Sequence, residues 1–196
     1  MNRTPRLENR REHLIQTAAQ LFNDLGYERT SVRQLAEAVG ILSGSVFHHF
    51  DSKEDILLAV MTTTIETMTT RLQAASKASN DVSERLLALI RTELELLHGD
   101  TRHGVAVTFF QWHSLGHTNQ RHVLAMRASY EKIWLDVLGQ AHASQLIHTD
   151  PFITRRLLTG ANGWTIYWYR PDGRLDLDAL AAEVRALLTG PANQNR

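Results

Sequence analysis

Ser43-Gly44-Ser45-Val46-Phe47-His48-His49 puts two hydroxyls, two imidazoles and a glycine into one short run. Hydroxyls and imidazoles can donate to phosphate oxygens or to base edges, and a glycine lets backbone approach a ligand closely. The other reading of His48 and His49 is a pair of solvated surface histidines. Upstream, Thr30, Ser31 and Arg33 open a helix: Thr30 or Ser31 can cap it, and Thr30 or Arg33 can reach a phosphate. Downstream, Lys53 falls in the first turn of another helix, where backbone amides already favour an anion. It suits a phosphate there, or an ion pair with Glu54 or Asp55. Arg3, Arg6, Arg10 and Arg11 form either an arm toward nucleic acid or a solubilising tail. Together Ser31 to Leu57 reads as helix, glycine turn, short helix and newly capped helix, the order of a helix-turn-helix unit that reads DNA.

Other chemistries are poorly supported. There is no cysteine, which excludes disulfides, thiolate metal sites and a cysteine nucleophile and suits a reducing cytoplasm. His113 and His117 are four apart, with His98, His103 and His122 nearby, but Gly116 and the turn after it interrupt the helix, and no acid joins them. No metal and no cofactor are expected. A Gly-rich phosphate loop, an HExxH pair, paired carboxylates and a nucleophile elbow are all missing, so no enzyme is expected. No apolar run approaches the roughly 18 residues of a membrane span, so no membrane partner is expected either. Lys plus Arg equals Asp plus Glu at 21 each. Near the N-terminus Arg3, Arg6, Arg10, Arg11, Arg29, Arg33 and Lys53 face Glu8, Glu12, Asp24, Glu28, Glu37, Asp51, Glu54 and Asp55. Bulk charge therefore does not argue for DNA; only its placement does.

The elements that must position these residues are helical throughout. Apolar residues recur at helical spacing, and Gly, Pro and Asp punctuate them. The spacing predicts nine helices, over about 10–25, 31–39, 43–49, 52–75, 82–98, 102–115, 120–143, 151–169 and 176–188. Ser43 is expected to cap the third. The eighth and ninth carry broad apolar faces at the end of the chain, and Gly160 permits close approach. This predicts a homodimer through Ile153, Leu157, Gly160, Trp164, Leu180 and Val184. Large aromatics fill the C-terminal half. At helical spacing they are core, or some of them line a cavity.

Thr30, Leu35-Ala36, Gly40, Ser43-Gly44-Ser45, Phe47-His48-His49-Phe50 and Ser52-Lys53-Glu54 together resemble the helix-turn-helix signature of the TetR family of bacterial transcriptional regulators. The resemblance spans about residues 10–60. Two positions depart from it. Leu42 stands where the family usually has a capping Ser or Thr, and Phe47 stands where it usually has Tyr. The segment from Gly163-Trp164 to Gly173 and the run Ile41 to Ser45 are similar to a branch that includes regulators of fatty-acid, sterol-ring and other acyl-CoA catabolism.

The resemblance implies an all-α fold, with an N-terminal three-helix DNA-binding domain over 1–52 and a helical effector and dimerisation domain over 53–196. It implies a dimeric repressor on a palindromic double-stranded operator, touching DNA through Thr30, Ser31, Arg33, Ser43, Gly44, Ser45, Phe47, His48, His49 and Lys53. With the aromatic cluster, it implies a hydrophobic effector such as an acyl-CoA or a related carboxylic acid. That effector would be held by Phe109, Trp112, Arg127, Tyr130, Trp134, Asn162, Trp164 and Trp168, with Arg127, Arg155, Arg156 and Arg170 as candidates for its phosphates. The alternatives are an architectural DNA-binding protein without effector, and a sensor of cationic or aromatic drugs.

Overall fold

Side-chain caps set most helix starts. The computed structural model describes residues 4–190, with side chains from Arg10 onward; the arm readings of Arg3 and Arg6 lie outside these. Asp81 accepts from the amides of Ser83 and Glu84, Asp150 from Ile153, and Asp176 from Ala179. Among the described residues there are nine α-helices: α1 Thr4–Leu25, α2 Val32–Val39, α3 Ser43–Val46, α4 Lys53–Ala75, α5 Val82–His98, α6 Arg102–Phe110, α7 His117–Ala143, α8 Pro151–Trp164 and α9 Leu177–Thr189. No strand occurs among them.

Several boundaries differ from the sequence expectation, each for a local reason. Ser31, not Thr30, caps α2, in a reciprocal capping box with Gln34. Ser43 does not cap α3; the cap position is Leu42, which makes no side-chain bond, and the α-helix is over by Val46. Helix α6 stops at Phe110 and the chain tightens into a 3₁₀ turn at Trp112–Ser114. Helix α7 starts at His117 rather than at Gln120. The Glu54 carboxylate satisfies that start from a distance, accepting from the Gly116 amide at 2.8 Å and Asn119 Nδ2 at 2.7 Å. Helix α8 ends at Trp164, and a 3₁₀ turn follows over Thr165–Tyr167. There Thr165 Oγ1 donates to the Asn162 carbonyl at 2.5 Å.

The chain divides into two compact units: Met1–Glu66 with Thr101–Met126, and Thr67–Asp100 with Arg127–Arg196. The core of the first joins Leu14, Ala18 and Phe22 of α1 with Leu35 and Ala36 of α2, Val46 of α3, and Leu57, Val60 and Met61 of α4. Helix α6 adds Val107, and α7 adds Val123. Gly104 of α6 is buried against Thr64 of α4 so closely that an added Cβ would collide with Thr64 Oγ1. The second unit packs α9 and α8 against α5, burying Leu86, Leu89, Ile90, Leu94, Leu158, Leu180 and Ala181. Arg91 with Asp178, and Arg185 with Glu84, tie α5 to α9 at the rim.

Candidate nucleic-acid interface and buried polar cluster

Gly40 makes the turn that sets α3 against α2. Its φ of 72° lies in the left-handed region that glycine enters without strain, and its amide closes α2 onto the carbonyls of Ala36 and Glu37. Val46 and Phe50 point into the core. Burying these two leaves Leu42, Ser43, Gly44, Phe47 and His48 exposed, with Ser45 and His49 half-buried. The exposed side chains are small hydroxyls, an imidazole and two large apolar groups. Arg33 is also exposed, and its guanidinium bonds Glu37 one turn on at 2.8 Å.

Two residues expected at DNA make bonds within the fold. Thr30 is buried, and its hydroxyl donates to the Gly26 carbonyl at 2.9 Å. It neither caps α2 nor faces solvent. Lys53 sends its ammonium back across the unit to the carbonyls of Tyr27 at 3.0 Å and Thr30 at 3.2 Å. It also lies 4.2 Å from the centre of the Tyr27 ring. Lys53 clamps the segment between α1 and α2 rather than pairing with Glu54 or Asp55, and its charge is not neutralised by the two carbonyls. Local sequence holds no sign of this, because the acceptors are backbone atoms more than twenty residues away.

In the second unit a polar cluster is buried where apolar packing is the norm. Arg155 of α8 is 1% exposed. It grips Glu93 of α5 with both ends of its guanidinium, at 2.9 and 3.2 Å, and reaches Glu131 of α7 through Nε at 3.1 Å. Its guanidinium also stacks 4.5 Å from the Trp134 ring centre. The Tyr130 hydroxyl donates to Glu93 Oε1, and Asn162 Nδ2 donates to Glu93 Oε2 at 2.7 Å. Burial would lower the Arg155 pKa, but Glu93 and Tyr130 outweigh it and hold the guanidinium above its ordinary value. Burial and then Glu93 push the Tyr130 phenol well up. At the centre of the cluster Arg155 and Glu93 form a buried ion pair, and both Glu93 oxygens accept hydrogen bonds.

Two buried polar atoms of the cluster are left over. The Trp134 indole N–H faces the Tyr130 oxygen without reaching hydrogen-bond geometry, and Asn162 Oδ1 has no partner. The amide orientation of Asn162 is fixed, because only its nitrogen can face the Glu93 carboxylate.

Tyr130, Trp134 and Asn162 are thus brought together as expected ligand residues, and Arg127 of the same unit is half-buried. Sequence reasoning missed Glu93, which looked like one more polar position in α5. It also placed Arg155 at a phosphate exit, whereas burial and two carboxylates consume its charge. Trp164 and Trp168 do not join the cluster. Trp164 is 64% exposed and stacks on Tyr167 at 4.7 Å. Phe109 and Trp112 belong to the first unit, where Trp112 packs on the core and against His113. Ile153, Leu157, Gly160 and Trp164 share one exposed face of α8. Leu180 is buried within its own chain and leaves the expected dimer surface; Val184 is half-buried.

The model for bacterial regulatory proteins of the tetR family matches residues 14–60, and that for the tetracyclin repressor-like C-terminal domain matches 79–190. The chain belongs to the TetR family. It is a DNA-binding transcriptional regulator. Among TetR-family relatives, the HTH-type transcriptional repressor KstR2 of Mycolicibacterium smegmatis is 29% identical over 192 residues, covering 96% of this chain and 93% of that one. The crystal structure of AibR with isovaleryl coenzyme A and operator DNA superposes with a TM-score of 0.84 at 26% identity, covering 93% of this chain and all of AibR. That of the superantigen PfiT is 51% identical with a TM-score of 0.80, covering 92% of this chain and 96% of PfiT. No helix among the described residues is long and apolar enough to cross a membrane.

Proposed function

We propose that two copies of this chain repress transcription by reading a palindromic operator through α3, and that an acyl-CoA thioester bound at the Glu93–Tyr130–Arg155–Asn162 cluster releases them. Ser31, Arg33, Ser43, Gly44, Ser45, Phe47, His48 and His49 form the DNA face. Ile153, Leu157, Gly160 and Trp164 of α8 meet their counterparts in the second copy, as an exposed apolar stripe on a helix should. KstR2 is a repressor and AibR was crystallised with an acyl-CoA and operator DNA, which supports both halves of this reading.

The carrying observation is the unpartnered, buried Asn162 Oδ1 beside an arginine with no charge to spare. Leaving such an acceptor unsatisfied costs about 1–3 kcal/mol, so a ligand that donates to it gains. A free carboxylate has no donor to offer, and it would meet Glu93 and Glu131 rather than an open cation. An acyl-CoA brings a neutral thioester and a pantetheine arm whose amides both donate and accept. The effector acts only by differential affinity: it must prefer the spacing of the two reading helices that does not fit DNA.

Thermal melting tests the ligand class. Acyl-CoA esters should raise the melting temperature, by a free energy of about 2.7 kcal/mol at a hundredfold excess over Kd. The matching free acids should do little, and Asn162→Ala should narrow the difference. Equal shifts from acids and thioesters would contradict the thioester assignment.

A further inference from the structure

The residues of α3 and its flanks, Leu42 to His49, include no Arg, Lys, Asn, Gln, Asp or Glu. These are the side chains that read guanine, adenine or cytosine by strong, often paired, hydrogen bonds in the major groove. What the reading face offers is single hydrogen bonds from Ser43, Ser45 and the histidines, plus two apolar groups. Leu42 is 81% exposed and Phe47 53%. Leu42 holds the cap position yet makes no capping bond, so it adds nothing to the helix it opens. It adds nothing to the core either. Exposed on the face that meets the operator, an apolar group at the start of a reading helix has one specific partner in the major groove, the 5-methyl of thymine.

We propose that Leu42 is a specificity-determining residue of this regulator and reads a thymine methyl in each operator half-site. This rests on the DNA-reading role proposed above. Phe47, at the other end of α3, is also exposed and offers a second apolar group. The operator preference of this chain then comes from thymine methyls at fixed positions rather than from guanines.

The test starts with selection of a preferred duplex from random DNA by the full-length protein. Each thymine is then replaced by deoxyuridine, which removes only the methyl. At one position per half-site the wild type should lose about fourfold in affinity, the worth of one buried carbon, and about fifteenfold when both halves are changed. Leu42→Ala should bind the thymine operator correspondingly more weakly and lose nothing further on deoxyuridine replacement. Leu42→Met should retain the methyl dependence. Unchanged melting curves for both variants are expected from the exposure of the side chain.

Deoxyuridine without effect on the wild type would overturn the proposal and leave the regulator reading intact. So would the same loss in wild type and Leu42→Ala. Failure to enrich any sequence would overturn both.

Discussion

Replacing Lys53 by alanine separates two uses of one ammonium. A phosphate contact would show as weaker binding to all sequences and a salt slope smaller by about one. We expect the other outcome, because the structure gives Lys53 two carbonyl acceptors in its own chain. Lys53→Ala should lower stability by about 1–2 kcal/mol in chemical denaturation and leave the salt slope of operator binding unchanged. A slope reduced by one unit would return Lys53 to the DNA face. Arg155 makes a sharper case. Arg155→Met strands Glu93 in the core and should cost about 3–5 kcal/mol, whereas Glu93→Met with Arg155→Met removes both charges and should cost less than the single change. A double variant as unstable as the sum of its parts would deny that the two charges compensate each other. Lys53 and Arg155 were both visible in the sequence as cations near interesting positions. Their roles were not, because each is decided by acceptors far along the chain. Neither Glu93 nor the carbonyls of Tyr27 and Thr30 carry a local mark of what they will accept.

Caps and periodicity made most helices legible. Asp81, Asp150 with Pro151, and Asp176 mark their starts in the sequence and do so in the structure. The exceptions at α7 and α8 turn on side-chain hydrogen bonds at the helix ends. Glu54 of α4 supplies the start of α7, and the bond from Thr165 to the Asn162 carbonyl draws the end of α8 into a 3₁₀ turn. Burial also divides the two ends of the chain more finely than hydrophobicity does. Leu157 and Leu180 look alike in the sequence, yet one is exposed on α8 and the other buried on α9. Leu157→Arg should therefore leave a folded monomer in sedimentation, while Leu180→Arg should unfold the second unit. A dimeric Leu157→Arg protein would move the interface elsewhere, and a well-folded Leu180→Arg protein would contradict its burial.

At the scale of the molecule, the fold and the reading unit were legible because a helix-turn-helix is local: turn glycine, cap and short helix lie within thirty residues. The ligand half was only partly so. Its aromatics were evident, but which of them are core, which exposed and which beside polar partners depends on packing between helices distant in the chain. The continuous helices α4 and α7 each contribute residues to both units, Ile56 and Leu72 in one, Val123 and Trp134 in the other. The ligand site proposed at Tyr130 and Trp134 lies on α7, the helix whose first turn is held by Glu54 of α4. The measurement that bears most directly on the whole account is the anisotropy of labelled operator, bound by the full-length protein, during titration with an acyl-CoA and with its free acid. The account predicts release by the thioester at concentrations where the acid leaves the complex intact. Release by a cationic drug or by the free acid alone, with the thioester inert, would contradict it.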